Sequence, residues 1–183
     1  MDTVLIVPGL NDSCANHWQS WLESVLPNCV RAVQPDWENA DLPSWSEAVR
    51  DAAGRAAGPV WIVAHSFGCL AAVHASARGD AQIAGALLVA PADPAKFGAS
   101  FALPKTDLPF RTILIGSEND PWMSIGSARR WARFWGAAFV NAGAAGHINA
   151  ASGYGAWPEG LRFFKYLQST APRGSSVPFD RYV

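Results

Sequence analysis

Cysteine is scarce in this sequence, with three among 183 residues, and Cys14, Cys29 and Cys69 never form a C-x-x-C pair. That count and spacing argue against a disulfide framework and against a zinc site. Excess charge is missing too, since 14 Lys and Arg face 15 Asp and Glu for a formal net charge of -1. A chain so balanced projects no field toward phosphate backbones or anionic lipid, so nucleic acid is not an expected partner. No apolar run is long enough to span a bilayer, and the opening "MDTVLIVPGL" has an acid at Asp2 and an apolar stretch that ends at Pro8. Neither a membrane span nor a signal peptide fits, and the expected location is the cytoplasm. Low-complexity segments and internal repeats are also lacking.

What is present is a series. Short runs rich in Val, Ile and Leu begin at Thr3, Cys29, Val60, Ile83, Arg111 and Ala137, and most are continuous rather than alternating. Continuity suits strands covered on both faces. Segments with helical spacing lie at 16–26, 44–57, 67–78, 125–135 and 154–167. Strand followed by helix, repeated, predicts an α/β fold with a parallel sheet. Ser44 with Glu47 reads as a capping box before one helix, and Gly79 as the close of another. With 50% hydrophobic residues, the chain can bury one core, and one domain over 1–183 is expected. Its tail, 169–183, is rich in Pro, Ser and Gly and is expected to pack loosely. The longest irregular connection, 91–109, is a candidate cover. The nine tryptophans suit core packing first and pocket walls second.

Three residues carry the chemistry. Ser66 stands in "IVAHSFGCLAA", between a predicted strand and a predicted helix, which is where a nucleophile elbow belongs. Alone, a serine before a helix would read as an N-cap. The usual pattern is G-x-S-x-G; here Gly68 keeps the second glycine and Ala64 adds a methyl at the first. Small residues are expected there because the turn is tight. After the fifth strand comes "ENDPW", where Asp120 or Glu118 could hold a histidine in the tautomer that catalysis needs, with Asp120 preferred. After the sixth comes "GAAGHINAASG", whose His147 is the candidate general base on a glycine- and alanine-rich loop expected to be flexible. Ser, Asp, His is the chain order of an α/β-hydrolase triad. The backbone N–H of Phe67, at the helix start, and that of Leu10 or its neighbour Asn11, in "VPGLNDS", are candidate oxyanion donors. That loop has neither G-x-G-x-x-G nor a P-loop, which disfavours a flavodoxin-like nucleotide binder. His65 reads as structural, His74 as a packing or surface residue, and Cys69 as a buried inert thiol.

The segments "PGLNDSCANHWQSWLE", "VAHSFG", "ENDPW" and "AGHINAASGYGAWPEG" together resemble the small serine hydrolases grouped with retinoblastoma-binding protein 9 and the bacterial YdeN-like proteins. The resemblance covers nearly the whole chain. It implies a three-layer α/β/α sandwich, a minimal α/β-hydrolase fold with a mostly parallel six-stranded sheet in the order 2-1-3-4-5-6, and no large cap domain. It implies Ser66, Asp120 and His147 as the triad and an alanine accepted at position 64. His17 and Trp18 match a family motif near the mouth of the site, and a helix start pinned into the core would explain them equally well. The motif L-x-C-x-E is absent, so nothing points to a retinoblastoma-type partner.

The expected function is carboxylesterase-like: cleavage of a small-molecule ester, or an amide or thioester, through an acyl-enzyme, with no cofactor and no metal. Trp18, Trp37, Phe67, Phe97 and Trp122, with Asn11 and His17, are the candidate pocket residues. The rival is a binding or scaffolding protein on the same fold. Substrate identity and oligomeric state are left open by the sequence.

Overall fold

The computed structural model describes residues 1–77, 79 and 82–169. Six strands form one parallel sheet: β1 (Thr3–Val7), β2 (Cys29–Arg31), β3 (Val60–His65), β4 (Ile83–Val89), β5 (Arg111–Gly116) and β6 (Ala138–Asn141). Their order is β2-β1-β3-β4-β5-β6, as the resemblance implied. Pairing starts at the middle, with β1 beside β3 in the register Leu5 to Ile62.

Both faces of every central strand are apolar, which is why the runs are continuous. Leu5, Val7, Ile62, Ala64, Leu88 and Leu114 face one core. Val4, Ile6, Val63, Leu87, Val89, Ile113 and Ile115 face the other. Side chains alternate across a strand, so a sheet covered on both sides needs hydrophobic residues at every position.

The covering helices are α1 (Trp18–Val25), α2 (Leu42–Gly54), α3 (Phe67–Ser76), α4 (Ile125–Phe134) and α5 (Pro158–Ser169). Trp18 and Leu22 of α1 and Phe164 and Leu167 of α5 fill the second core. Trp45 and Val49 of α2, most of α3, and Trp131 of α4 fill the first. The architecture is thus three layers without a cap domain. No described helix is long and apolar enough to cross a membrane.

Two local expectations change. Helix α2 starts before Ser44: Asp41 is its N-cap, accepting the Ser44 N–H at 3.0 Å, and a proline occupies the first turn. Glu47 turns away to pair with Arg50, so no capping box forms. The connection 91–109, the candidate cover, is itself tied to the core. It contains a short 3-10 helix, Pro94–Phe97, and buries Leu103 and Leu108 in the first core. The Trp135 indole donates to the Pro104 carbonyl at 3.0 Å. Gly79 follows α3 with a φ of 75°, as its role at the helix end requires. The expected tail lies outside the described residues apart from Ser169, the last residue of α5.

Tryptophan is mainly core material. Trp18, Trp45 and Trp135 are fully buried, and Trp61, Trp131 and Trp157 nearly so.

Candidate active site

The site forms where β1, β3, β5 and β6 end. Ser66, between β3 and α3, has a φ of 52° and a ψ of -126°, backbone that costs a non-glycine residue energy. It stands in the N-cap position, yet its side chain makes no capping bond. The hydroxyl turns outward instead and lies 2.9 Å from Nε2 of His147. On the far side of that ring, Nδ1 is 2.9 and 3.0 Å from the two carboxylate oxygens of Asp120. With the carboxylate accepting the Nδ1 proton, Nε2 is free to accept from the serine hydroxyl. The Asp120 side chain is 1% exposed.

Between the two candidate acids the geometry chooses Asp120. Glu118 is exposed and accepts from the side-chain amide of Asn141 at 2.8 Å.

The elbow explains its own glycines. A Cβ on Gly68 would run into the carbonyl oxygens of Pro8 and Val7, so the constraint comes from the end of β1 rather than from crowding around the serine itself. A Cβ on Gly9 would lie 2.7 Å from the Cβ of Ser66. Glycine at these two places lets the β1 loop pass directly over Ser66.

That loop, residues 8–13, was expected to supply a backbone donor. The Asn11 N–H is already given to the Trp37 carbonyl at 2.8 Å, which leaves Leu10 as the candidate beside Phe67. Asn11 and Asp12 both have positive φ, 64° and 60°, so the loop needs outside support. Arg31 of β2 gives it. Its guanidinium bonds Asp12 at 2.8 Å, the Ser13 carbonyl at 2.9 Å and the Ser20 hydroxyl at 2.8 Å, and forks onto Glu23. Gln19, fully buried, donates to the carbonyls of Val7 at 3.2 Å and Val63 at 3.0 Å and accepts from the Ser13 hydroxyl at 2.6 Å. One side chain therefore ties the end of β1, the end of β3 and the loop together. Neither Arg31 nor Gln19 carried a sequence signal, because a strand arginine and a helix glutamine are ordinary surface choices.

The histidine loop is also fastened, against the expectation of flexibility. Ala145, Gly146 and His147 donate their N–H groups to Ser117 Oγ at 3.0 Å, Asn119 Oδ1 at 2.7 Å and Ser152 Oγ at 3.1 Å. The Trp122 N–H holds Asp120 at 2.9 Å. His65 is buried beneath, its Nε2 2.9 Å from the His147 carbonyl, so it is the Nε2–H tautomer that can donate there. Burial, with His147 and His17 nearby, pushes the His65 pKa well below its ordinary value. Structural use of His65 thus matches the sequence reading. Half-buried His74 meets Ser46 at 2.9 Å, and burial pushes the Cys69 thiol up, out of reach of ionisation.

A cavity of about 390 Å³ lies elsewhere, near the opposite strand ends, between α2, α3 and Phe110. The one beside Ser66, about 470 Å³, is lined by Leu10, Asn11, His17, Phe97 and Trp122 among others. Three expected wall residues are not on it. Trp18 is in the core, where its indole donates to the Ile148 carbonyl at 2.8 Å and so steadies the histidine loop. Trp37 packs edge-on against Trp45. The Phe67 ring is buried between Trp45 and Phe97. His17 does both jobs that the sequence left open: it caps α1 by accepting the Gln19 N–H at 3.2 Å, and it lines the cavity.

A doubly covered parallel sheet in this order, with a serine on a strained turn after its third strand, defines the α/β-hydrolase class. The fold is shared with a hydrolase from Oleispira antarctica (TM-score 0.68, 12% identity, 93% of this chain and 92% of that one). A profile of the family described as serine hydrolase matches residues 4–166, and the chain belongs to that family. It is 41% identical to a protein of Pectobacterium atrosepticum described as a YdeN-like hydrolase, with 92% of this chain and 91% of that one covered and a TM-score of 0.87. The ydeN product of B. subtilis has the same fold at 20% identity, with 93% of this chain and all of that one covered and a TM-score of 0.78. No curated protein sequence matches the chain. Membership of this family supports a hydrolase activity.

Proposed function

We propose that the chain hydrolyses small carboxylic esters through an acyl-enzyme on Ser66. The observation that carries this reading is the continuous hydrogen-bonded series from Ser66 through His147 to Asp120, built on a backbone that a serine would not adopt without support. Ser66 Oγ attacks the ester carbonyl while Nε2 of His147 takes its proton, and Asp120 stabilises the imidazolium. The negative oxygen is held by the N–H groups of Leu10 and Phe67. His147 returns the proton to the leaving alcohol as the C–O bond breaks, leaving the acyl group on Ser66. Water then attacks that acyl group, giving its proton to His147, and the acid departs with Ser66 restored.

Amides and thioesters could enter the same steps. The ester comes first because an alkoxide leaves with less help than an amide nitrogen. None of these steps draws on a cofactor or a metal.

A fluorophosphonate probe tests the nucleophile directly. Labelling of the wild type that vanishes in Ser66→Ala is the expected result; no labelling, or labelling that survives the substitution, defeats the proposal. A series of p-nitrophenyl esters of increasing acyl length tests the substrate class, and failure to turn over any of them would return weight to amides, thioesters or a binding role.

A further inference from the structure

The cavity beside Ser66 has two unlike walls. On the β4 and β5 side stand Ala92, Phe97 and Trp122, all without a side-chain hydrogen-bonding group aimed at a substrate save the Trp122 indole. Toward β1 and α1 stand Asn11, Asp12 and His17, which are polar. Strand order fixes this arrangement, because β3 carries Ser66 with β1 on one side and β4 on the other.

No lysine or arginine lines the polar wall. The Asp12 carboxylate is paired with Arg31 at 2.8 Å. Burial, followed by the field of Arg31, lowers the His17 pKa from 6.5 to about 4, so its ring is neutral at physiological pH. Nδ1 of that ring accepts the Gln19 N–H, which places the single ring proton on Nε2. His17 is 5% exposed, and its Nε2 has no hydrogen-bond partner among the described residues. His17 lines the cavity and its Nδ1 is taken up at the helix start, so Nε2 is the ring atom left for that space. A fixed, neutral donor thus faces the space beside the nucleophile.

Which half of the substrate it meets follows from proton transfer. The leaving oxygen must lie against Nε2 of His147. The His65 ring lies next to both His17 and His147, at centroid distances of 4.9 and 4.8 Å, and His17 shares its wall of the cavity with the Leu10 loop. With the leaving oxygen drawn to His147, the acyl half is the part assigned to His17.

We propose that His17 selects acyl groups that carry an uncharged hydrogen-bond acceptor, such as an ether, hydroxyl or amide oxygen, over wholly aliphatic or anionic ones of equal length. This rests on the ester-hydrolase reading of the site.

The test compares kcat/KM for p-nitrophenyl butyrate, its methoxyacetate counterpart and the hemisuccinate in the wild type, His17→Asn and His17→Gln. Asparagine is a good N-cap, so α1 keeps its start while the donor no longer reaches the cavity. Taking the ratio of methoxyacetate to butyrate in each protein and dividing wild type by variant cancels the esters' intrinsic reactivities. One hydrogen bond to a neutral donor predicts about a 3- to 10-fold fall in that ratio for His17→Asn. Partial recovery is expected in His17→Gln, which regains an N–H of longer reach. A ratio unchanged within about twofold, with fluorophosphonate labelling intact, overturns the role of His17 and leaves the hydrolase reading standing. Preference of the wild type for the hemisuccinate overturns the neutral-acceptor assignment. Loss of labelling and of all ester turnover in the wild type overturns both readings.

Discussion

Two loops meet over Ser66, and they are fastened by different chemistry. The β1 loop, which carries Leu10, hangs on ion pairs: Arg31 holds Asp12 and Glu23, with Gln19 beneath. The histidine loop hangs on neutral groups: Ser117, Asn119, Ser152, the Trp18 indole and the His65 ring. In the proposed mechanism, a neutral loop lets His147 gain and lose a proton each cycle without the loop's own charges competing for it. A charged anchor would suit the loop whose proposed donors must stay fixed while negative charge appears nearby.

Substitutions that attack each side in turn can break this contrast. The largest loss is expected from Asp120→Asn, about 10⁴-fold in kcat with an unchanged melting temperature, since the ring would keep its place but lose its tautomer. Steady-state kinetics and a thermal melt measured together check both halves. Arg31→Met comes next: it strands two carboxylates and should lower stability by about 2 kcal/mol and cut kcat more than it raises KM. Arg31→Lys should recover only part, because an ammonium cannot reproduce the fork onto Glu23 while also reaching Asp12. Urea melts with activity assays would show it, and full rescue by lysine would mean that charge alone holds the loop.

On the neutral side, Trp18→Phe leaves the Ile148 carbonyl without its buried donor and should cost about 1 to 3 kcal/mol. Its effect should not vary with salt, whereas that of Arg31→Met should shrink as salt rises. Equal salt dependence would erase the distinction.

The last expected effect is confined to acid conditions. His17 has a folded pKa of about 4, below its value of 6.5 in the unfolded chain, and that of His65 is lowered as well. Between those values the unfolded chain binds more protons, so stability should be complete above about pH 6.5 and decline as pH falls toward 4. His17→Asn should flatten that decline in urea midpoints taken across the window.

Much of this is legible in the sequence. All six strands and the five described helices lie where continuous apolar runs and helical spacing put them, because burial of both sheet faces leaves a strong mark on composition. Ser66, Asp120 and His147 were legible because each follows a strand and the chemistry admits few residue types. The supporting residues were not. Gln19 and Arg31 act across 44 and 18 positions of sequence, onto Val63 and Ser13 respectively, and nothing local marks a side chain that works at such range. Trp18 and Trp37 were read as walls because they stand near strand ends, yet position along the chain does not say which way a ring turns. The capping box at Ser44 failed for a related reason: Asp41, earlier in the chain, competes for the same N–H and begins the helix first.

The closeness of Gly9 to Ser66 bears on any attempt to redesign this protein. At position 9 a methyl would meet the Cβ of Ser66, and at position 68 it would strike the backbone at the end of β1. Random libraries that include either codon would spend most of their members on chains whose first loop cannot close. Useful diversity lies further out, at Phe97 and Trp122, where side chains border open space and a change of shape can become a change of taste for substrate.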